Sequence, residues 1–225
     1  MPERLNAILV GCGAISGAWL GSASLQQETR ITALVDINPR AAESAAEKHE
    51  LAHVLIETDL EAALRATRPD LVFNCTVPEA HCPVALTALE HGCHVLTEKP
   101  LSDNMADARR MVEAARHADR ILAVIQNRRY LPQVRAVRDF LASGAIGRVT
   151  TVQSNFFLGP HFGGFREQMQ HVLLVDMAIH TFDAARCMTG TDAASVYCHE
   201  WNPAGSWYEH GASAGSRACI PPSGS

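Results

Sequence analysis

The chain reads as an α/β protein: a Rossmann-type, doubly wound parallel sheet, followed by an incomplete second α/β (α+β) domain with an open, largely antiparallel sheet. Three observations predict this. An apolar run, Leu5–Val10, leads straight into Gly11-Cys-Gly13 and then into a helical pattern. Strand-like and helix-like segments alternate with short connections as far as about residue 125. Beyond that point a longer alternating stretch, 148–157, carries one polar face. The expected organisation is a dinucleotide-binding domain over 1–125, a partial substrate and oligomerisation domain over 126–214, and an irregular tail over 215–225.

Taken in order, the first strand ends at Gly11-x-Gly13, with Ser16 where the dinucleotide fingerprint carries its third glycine and Gly17 one place later. A small side chain there still lets helix and strand pack closely. A β-branched run over 31–35 ends in Asp36, and Asn38-Pro39 opens a helix over 40–49. A short strand over 53–56 follows, then Thr58-x-x-Glu61 as a capping box for a helix reaching Ala66. Residues 70–75 read as a buried strand and 78–91 as a helix closed by Gly92. His94–Thr97 is the fifth strand. Ser102 is placed to cap a helix whose Met105, Ala108, Met111, Val112 and Ala115 share one face, and 121–125 supplies a sixth strand. In the second domain the pattern predicts a helix over 132–143, a strand over 148–157, a glycine-rich loop over 159–164, and a helix over about 172–188. Further strands are predicted at Ser195–Trp201 and 207–214.

Composition narrows the function classes. The 225 residues, 47% hydrophobic and 19% charged, are enough for one to two domains with a real core. A net charge of −5 leaves no basic footprint for nucleic acid, and no apolar run approaches a membrane span. Met1-Pro-Glu-Arg does not read as a signal peptide, so the expected location is the cytoplasm. The seven cysteines form no C-x-x-C pair and read as reduced, small apolar residues.

The ends of strands one, four and five converge on the crevice where doubly wound sheets bind ligands, which directs attention to 11–16, 75–81 and 98–101. Gly11, Gly13, Ala14 and Ile15 form a backbone cradle for a pyrophosphate. Asp36 is placed to accept from adenosine ribose hydroxyls and to repel a 2′-phosphate, which favours NAD; Arg40, one helical turn on, keeps NADP open. The same residues also read simply as a turn and a helix start. Thr76 lies beside the dinucleotide track, and His81 is equally a helix-start residue or a cofactor neighbour. Glu98-Lys99-Pro100 follows strand five at the rim. Lys99 there is either a donor to a substrate hydroxyl, its pKa lowered by the positive nicotinamide, or an exposed lysine before a turn proline. A cis peptide before Pro100 would turn Lys99 inward.

In the second domain Asn127 and Arg128 suit a polyol or a carboxylate, whereas Arg129 and Tyr130 read as packing or surface groups. Asp176, His180 and Asp183 fall at i, i+4 and i+7 on one helix face, with Leu173, Leu174, Met177, Ile179 and Phe182 on the other sides for burial. That face reads either as a general base set by two carboxylates or as a solvated polar face. It offers no ligand from a third direction, so no metal is expected. His161 and His171 stay open as substrate contacts.

Gly11-Cys-Gly-Ala-Ile-Ser16, Asp36, Thr76-x-Pro78-x-x-His81, Glu98-Lys99-Pro100, Asn127-Arg128-Arg129 and Asp176-x-x-x-His180-x-x-Asp183, in this order, resemble the glucose-fructose oxidoreductase / inositol dehydrogenase / rhizopine-catabolism oxidoreductase family across about residues 5–210. The resemblance implies NAD(H)-dependent, reversible oxidation of a sugar or cyclitol hydroxyl and a homo-oligomer formed through the second-domain sheet. It also implies cofactor contacts at Gly11, Gly13, Ala14, Ile15, Asp36, Thr76, His81, Glu98 and Lys99. Lys99, Asp176 and His180 become a catalytic set: His180 takes the hydroxyl proton, Lys99 polarises the oxygen, and Asp176 orients the histidine or the substrate. Asn127, Arg128, His161 and Asp183 become substrate contacts. Members of the family usually run longer, and the Pro/Gly/Ser-rich 215–225 predicts a member cut short, with loose residues after Ala214 and an unpaired sheet edge prone to self-association. Two other readings follow: a non-catalytic dinucleotide-binding regulator or inactive fragment, and a transient oxidation that permits elimination or glycoside cleavage.

Overall fold

The computed structural model describes residues 4–220, which fall in two compact units divided after Ile125. In the first unit the elements are β1 (Leu5–Val10), α1 (Ser16–Leu20), α2 (Ala23–Glu28), β2 (Thr29–Val35), α3 (Pro39–Lys48), β3 (Leu55–Glu57) and α4 (Leu60–Thr67). They continue with β4 (Leu71–Asn74), α5 (Pro78–Glu90), β5 (His94–Thr97), α6 (Met105–Ala118) and β6 (Leu122–Val124). All strands pair in parallel in the order β3-β2-β1-β4-β5-β6. The order reverses between β1 and β4, and a ligand crevice opens at such a point, outside the carboxyl ends of the strands.

The central strands are apolar on both faces because both are covered. Ile8, Val72 and Val95 pack with Leu64, Leu89 and Met111 on one side; Leu9, Leu34 and Phe73 pack with Trp19 and Leu20 on the other. Two predicted caps move. Asp59, not Thr58, accepts the Glu61 N–H at 2.9 Å, and Asn104, not Ser102, accepts the Asp107 N–H at 2.9 Å. In each case a side chain one or two residues nearer the first turn reaches the orphan amide. The Ser102 hydroxyl bonds to Asp103 instead.

The second unit holds a 3-10 turn (Asn127–Tyr130), α7 (Pro132–Ala142), a second 3-10 turn (Gly164–Gln168), a π-helical segment (Val172–Met177) and α8 (Ile179–Thr189). Its two strands, β7 (Ser195–Trp201) and β8 (Ala214–Ile220), form an antiparallel pair. Three expectations are corrected here. The helix predicted over 172–188 is broken in type, its first turn closing through Ala178 N–H to Leu173 O at 2.7 Å. Residues 148–157 are irregular: alternation makes a strand only where a neighbour accepts its ladder, and no described strand pairs with this stretch. The predicted strand at 207–214 and the irregular tail after it exchange places. Residues 205–213 bend, and 214–220 form β8 against β7, with 221–225 outside the described residues.

The bend has a visible cause. Ala212 N–H donates to Gln170 O at 2.8 Å, Leu173 N–H reaches Ala212 O at 3.3 Å, and a Cβ on Gly211 would sit 2.0 Å from Met169 O. The loop is thus clamped to the turn before the π segment, around a small cluster of Met169, Val172 and Tyr208. No helix among the described residues is long and apolar enough to cross a membrane.

Candidate active site

In the first unit, Gly11 stands where β1 meets β4. Its φ is +89°, and a Cβ there would lie 2.7 Å from Cys75 C, Cys75 O and Thr76 N, so only glycine permits this approach. A Cβ on Gly13 would meet nothing within 4 Å, and Gly13, Ala14 and Ile15 are exposed above the strand end. The Ser16 hydroxyl, buried at the third-glycine position, donates to Gly13 O at 2.7 Å and ties the loop to α1. Asp36, at the end of β2, is held from two sides: Cys12 N–H donates to Oδ2 at 2.7 Å and Asn38 N–H to Oδ1 at 2.8 Å. The carboxylate is half-buried and retains acceptor capacity on both oxygens. An open glycine shelf beside a fixed, acceptor-only carboxylate fits a dinucleotide's pyrophosphate and ribose.

At the ends of β4 and β5 a buried network sets the rest of this wall. The Asn74 carboxamide donates to His81 O at 3.0 Å and accepts from the Thr76 hydroxyl at 2.7 Å. The His81 ring lies between Pro100 O (Nδ1, 2.7 Å) and Thr76 O (Nε2, 3.1 Å) and is fully enclosed. Burial pushes its pKa down, against the two carbonyls. The neutral ring carries one N–H, which donates to one of these two carbonyl oxygens. Glu98 accepts from the Trp19 indole N–H (Oε1, 2.8 Å) and from Lys99 N–H (Oε2, 3.1 Å), bracing the segment that carries the half-buried Lys99. The Lys99–Pro100 peptide is cis.

In the second unit the structure inverts the expected burial of the helix. Asp176, His180 and Asp183 are the enclosed residues, while Leu173, Leu174, Met177, Ile179 and Phe182 are only partly covered. A solvated face is thereby excluded. Two arginines make this burial affordable. Arg166 Nε donates to Asp176 Oδ2 at 2.6 Å and its Nη2 to Oδ1 at 3.3 Å, while its guanidinium lies over Phe165 (4.5 Å) and Phe162 (5.3 Å). Arg129 grips Asp183 through two nitrogens, Nε to Oδ2 at 2.8 Å and Nη2 to Oδ1, and these bonds raise its own pKa. Arg129, read from sequence as a packing or surface group, is thus a direct partner of the buried face.

Of the other candidates, Asn127 is exposed and Arg128 lies over the Phe156 ring at 5.7 Å. His161 pairs through Nε2 with Glu167, stacks on Trp207 (5.4 Å, 5°) and meets Tyr208 edge-on (5.3 Å, 78°). His171 Nδ1 bonds Glu200 at 2.7 Å. Sequence reading passed over Arg166 and Trp207. Arg166 sits in Phe162-x-x-Phe165-Arg166, an arginine among aromatics that signals a stacked guanidinium; Trp207 stood in a stretch read as a strand.

The family model described as "Oxidoreductase family, NAD-binding Rossmann fold" matches residues 5–126, and the GFO/IDH/MocA C-terminal domain model matches 134–213. Among curated relatives, a D-glucoside 3-dehydrogenase of Escherichia coli is 31% identical over 208 residues, covering 89% of this chain and 59% of its own. An inositol 2-dehydrogenase of Rubrobacter xylanophilus is 30% identical over 206 residues, covering 90% and 57%. The myo-inositol dehydrogenase from Lactobacillus casei, solved with NAD(H) and myo-inositol, superposes with a TM-score of 0.78 at 22% identity, over 97% of this chain and 64% of that one. The chain thus spans a little over half the length of the curated relatives it matches.

Proposed function

The chain belongs to the GFO/IDH/MocA oxidoreductase family, and from that premise we propose that it serves NAD(H)-dependent oxidation of a CH–OH group on a sugar or cyclitol. The observation that carries this reading is the enclosed Asp176, His180 and Asp183 face with its two arginine partners. Burying three titratable groups opposes folding, and such clusters concentrate at functional sites.

When bound, NAD supplies the acceptor for a hydride from the substrate carbon. The protein's own groups do the rest. The glycine shelf at Gly11 and Gly13 carries the pyrophosphate, and Asp36 accepts from the ribose hydroxyls. Lys99, on the segment braced by Glu98, donates a hydrogen bond to the substrate oxygen, and His180 takes the hydroxyl proton. Asp176 fixes local geometry together with Arg166, and Asn127 and Arg128 hold the remaining hydroxyls. Asp36 favours NAD over NADP.

A panel of myo-inositol, aldoses, glucosides and small hydroxy acids, scored by NADH formation, tests the reading. Turnover should appear with rings bearing vicinal hydroxyls, and Lys99→Ala and His180→Ala should each lower kcat by on the order of 10²-fold while NADH affinity holds. Preference for hydroxy acids, or near-normal rates in both variants, would overturn it.

A further inference from the structure

We infer that Trp207 is a stacking platform for the ring of the substrate, with His161 and Glu167 as its polar edge. The inference deepens the sugar or cyclitol reading above and rests on it.

Three observations carry it. Trp207 is 61% exposed, yet its loop is fixed. The Asn202 carboxamide donates to Tyr208 O at 2.6 Å, Tyr208 N–H donates to the Ser206 hydroxyl at 3.1 Å, and Ala212 N–H reaches Gln170 O. A large aromatic on a loop already hydrogen-bonded into place needs little ordering of its backbone on binding a ligand. Second, one face of the indole is stacked on His161 with the ring planes parallel to within 5°, and Tyr208 meets that imidazole edge-on, so the stack braces the indole and leaves exposed area of its ring for a ligand. Third, the surface is connected to the buried face through consecutive residues. On the turn Gly164–Gln168, Arg166 holds Asp176 and Glu167 holds His161.

The ligand class follows from the chemistry of such a surface. An aromatic face is negative and attracts polarised C–H groups, and a pyranose or cyclitol presents several on one side of its ring while its hydroxyls point outward. Glu167 and the His161 imidazole supply the acceptor and donor at the edge for those hydroxyls.

Saturation-transfer NMR on the chain with NADH present, using methyl β-D-glucopyranoside and myo-inositol as probes, decides it. The ring C–H protons should saturate most strongly, and Trp207→Ala should weaken probe binding about tenfold with NADH affinity unchanged. Trp207→Leu keeps the apolar bulk without the π face and takes the place of the alanine variant should that misfold. Probe binding equal to the parent in the folded variant overturns the platform and leaves the sugar reading standing. Failure of every sugar and cyclitol to bind a chain that still binds NADH overturns the sugar reading itself, and the platform with it.

Discussion

Gly11 and Gly13 stand two residues apart in the same loop, and their alanine variants should fail in opposite ways. At Gly11 the φ of +89° imposes a left-handed penalty of about 1–2 kcal/mol on any side chain. The new methyl would lie 2.7 Å from three backbone atoms of Cys75 and Thr76, which no rotamer change can move, adding about 1–3 kcal/mol of overpacking. Gly11→Ala should therefore lose about 2–5 kcal/mol, or roughly 6–25 °C in Tm for a unit of this size. Gly13 has an ordinary φ and open space around its Cβ direction, so Gly13→Ala should melt within about 3 °C of the parent and even gain slightly from a stiffer unfolded chain. Its methyl fills the space assigned to the pyrophosphate, and NADH affinity should drop by about tenfold or more. Thermal melts by circular dichroism and NADH titration by fluorescence measure the two effects. A Gly11→Ala melt indistinguishable from the parent, or a folded Gly13→Ala that binds NADH normally, would refute the reasoning.

Three further outcomes are expected. Asp36→Asn keeps one acceptor and removes the charge, so the preference for NADH over NADPH should narrow by on the order of ten- to a hundredfold in parallel titrations; a parent chain that prefers NADPH would transfer the role to Arg40. Arg129→Ala strands the Asp183 carboxylate, which is 9% exposed, and should cost roughly 2–3 kcal/mol in urea unfolding, with Arg129→Lys intermediate because it lacks the fork; an unchanged midpoint would show the pair to be idle. Burial raises the thiol of Cys12 from 9.0 to about 12 and that of Cys93 to about 11, and it also raises Cys75 and Cys82. At pH 8 iodoacetamide should label Cys198 and Cys219 in the native chain while these four resist. The raised values add stability that is complete below pH 9.0 and disappears as pH climbs through about 11–12, so alkaline melts should fall across that window, and a flat profile would contradict the burial.

The sheet of the first unit was legible because each strand is an apolar run closed by its own turn signal, and parallel strands covered on both faces need no cross-strand information. Gly11 and Asp36 were legible for the same local reason. What escaped was decided by partners far along the chain. The polar face of Asp176, His180 and Asp183 was identified by spacing, but whether it faced water depended on Arg166 and Arg129, at separations that periodicity does not see. His81 shows the reverse case: its motif position was plain, and only the structure shows its ring enclosed between the backbone oxygens of Thr76 and Pro100. The alternation of 148–157 predicted a strand where the structure has none, because the alternating pattern by itself carries no information about a pairing neighbour.

The π segment ahead of α8 carries an insertion's signature. A π turn holds one residue more than the α turn it interrupts, and its backbone bonds are poorer for it. Deleting one residue from Val172–Met177 would let the ladder close as regular α-helix and would strengthen the element. It would also turn everything on the N-terminal side by roughly 100° relative to α8, swinging the junction with the Arg166 turn out of phase with His180. Selection for thermal stability alone would favour the shorter helix, so the extra residue is a place where the strength of the helix and the placement of the enclosed Asp176 and His180 pull in opposite directions.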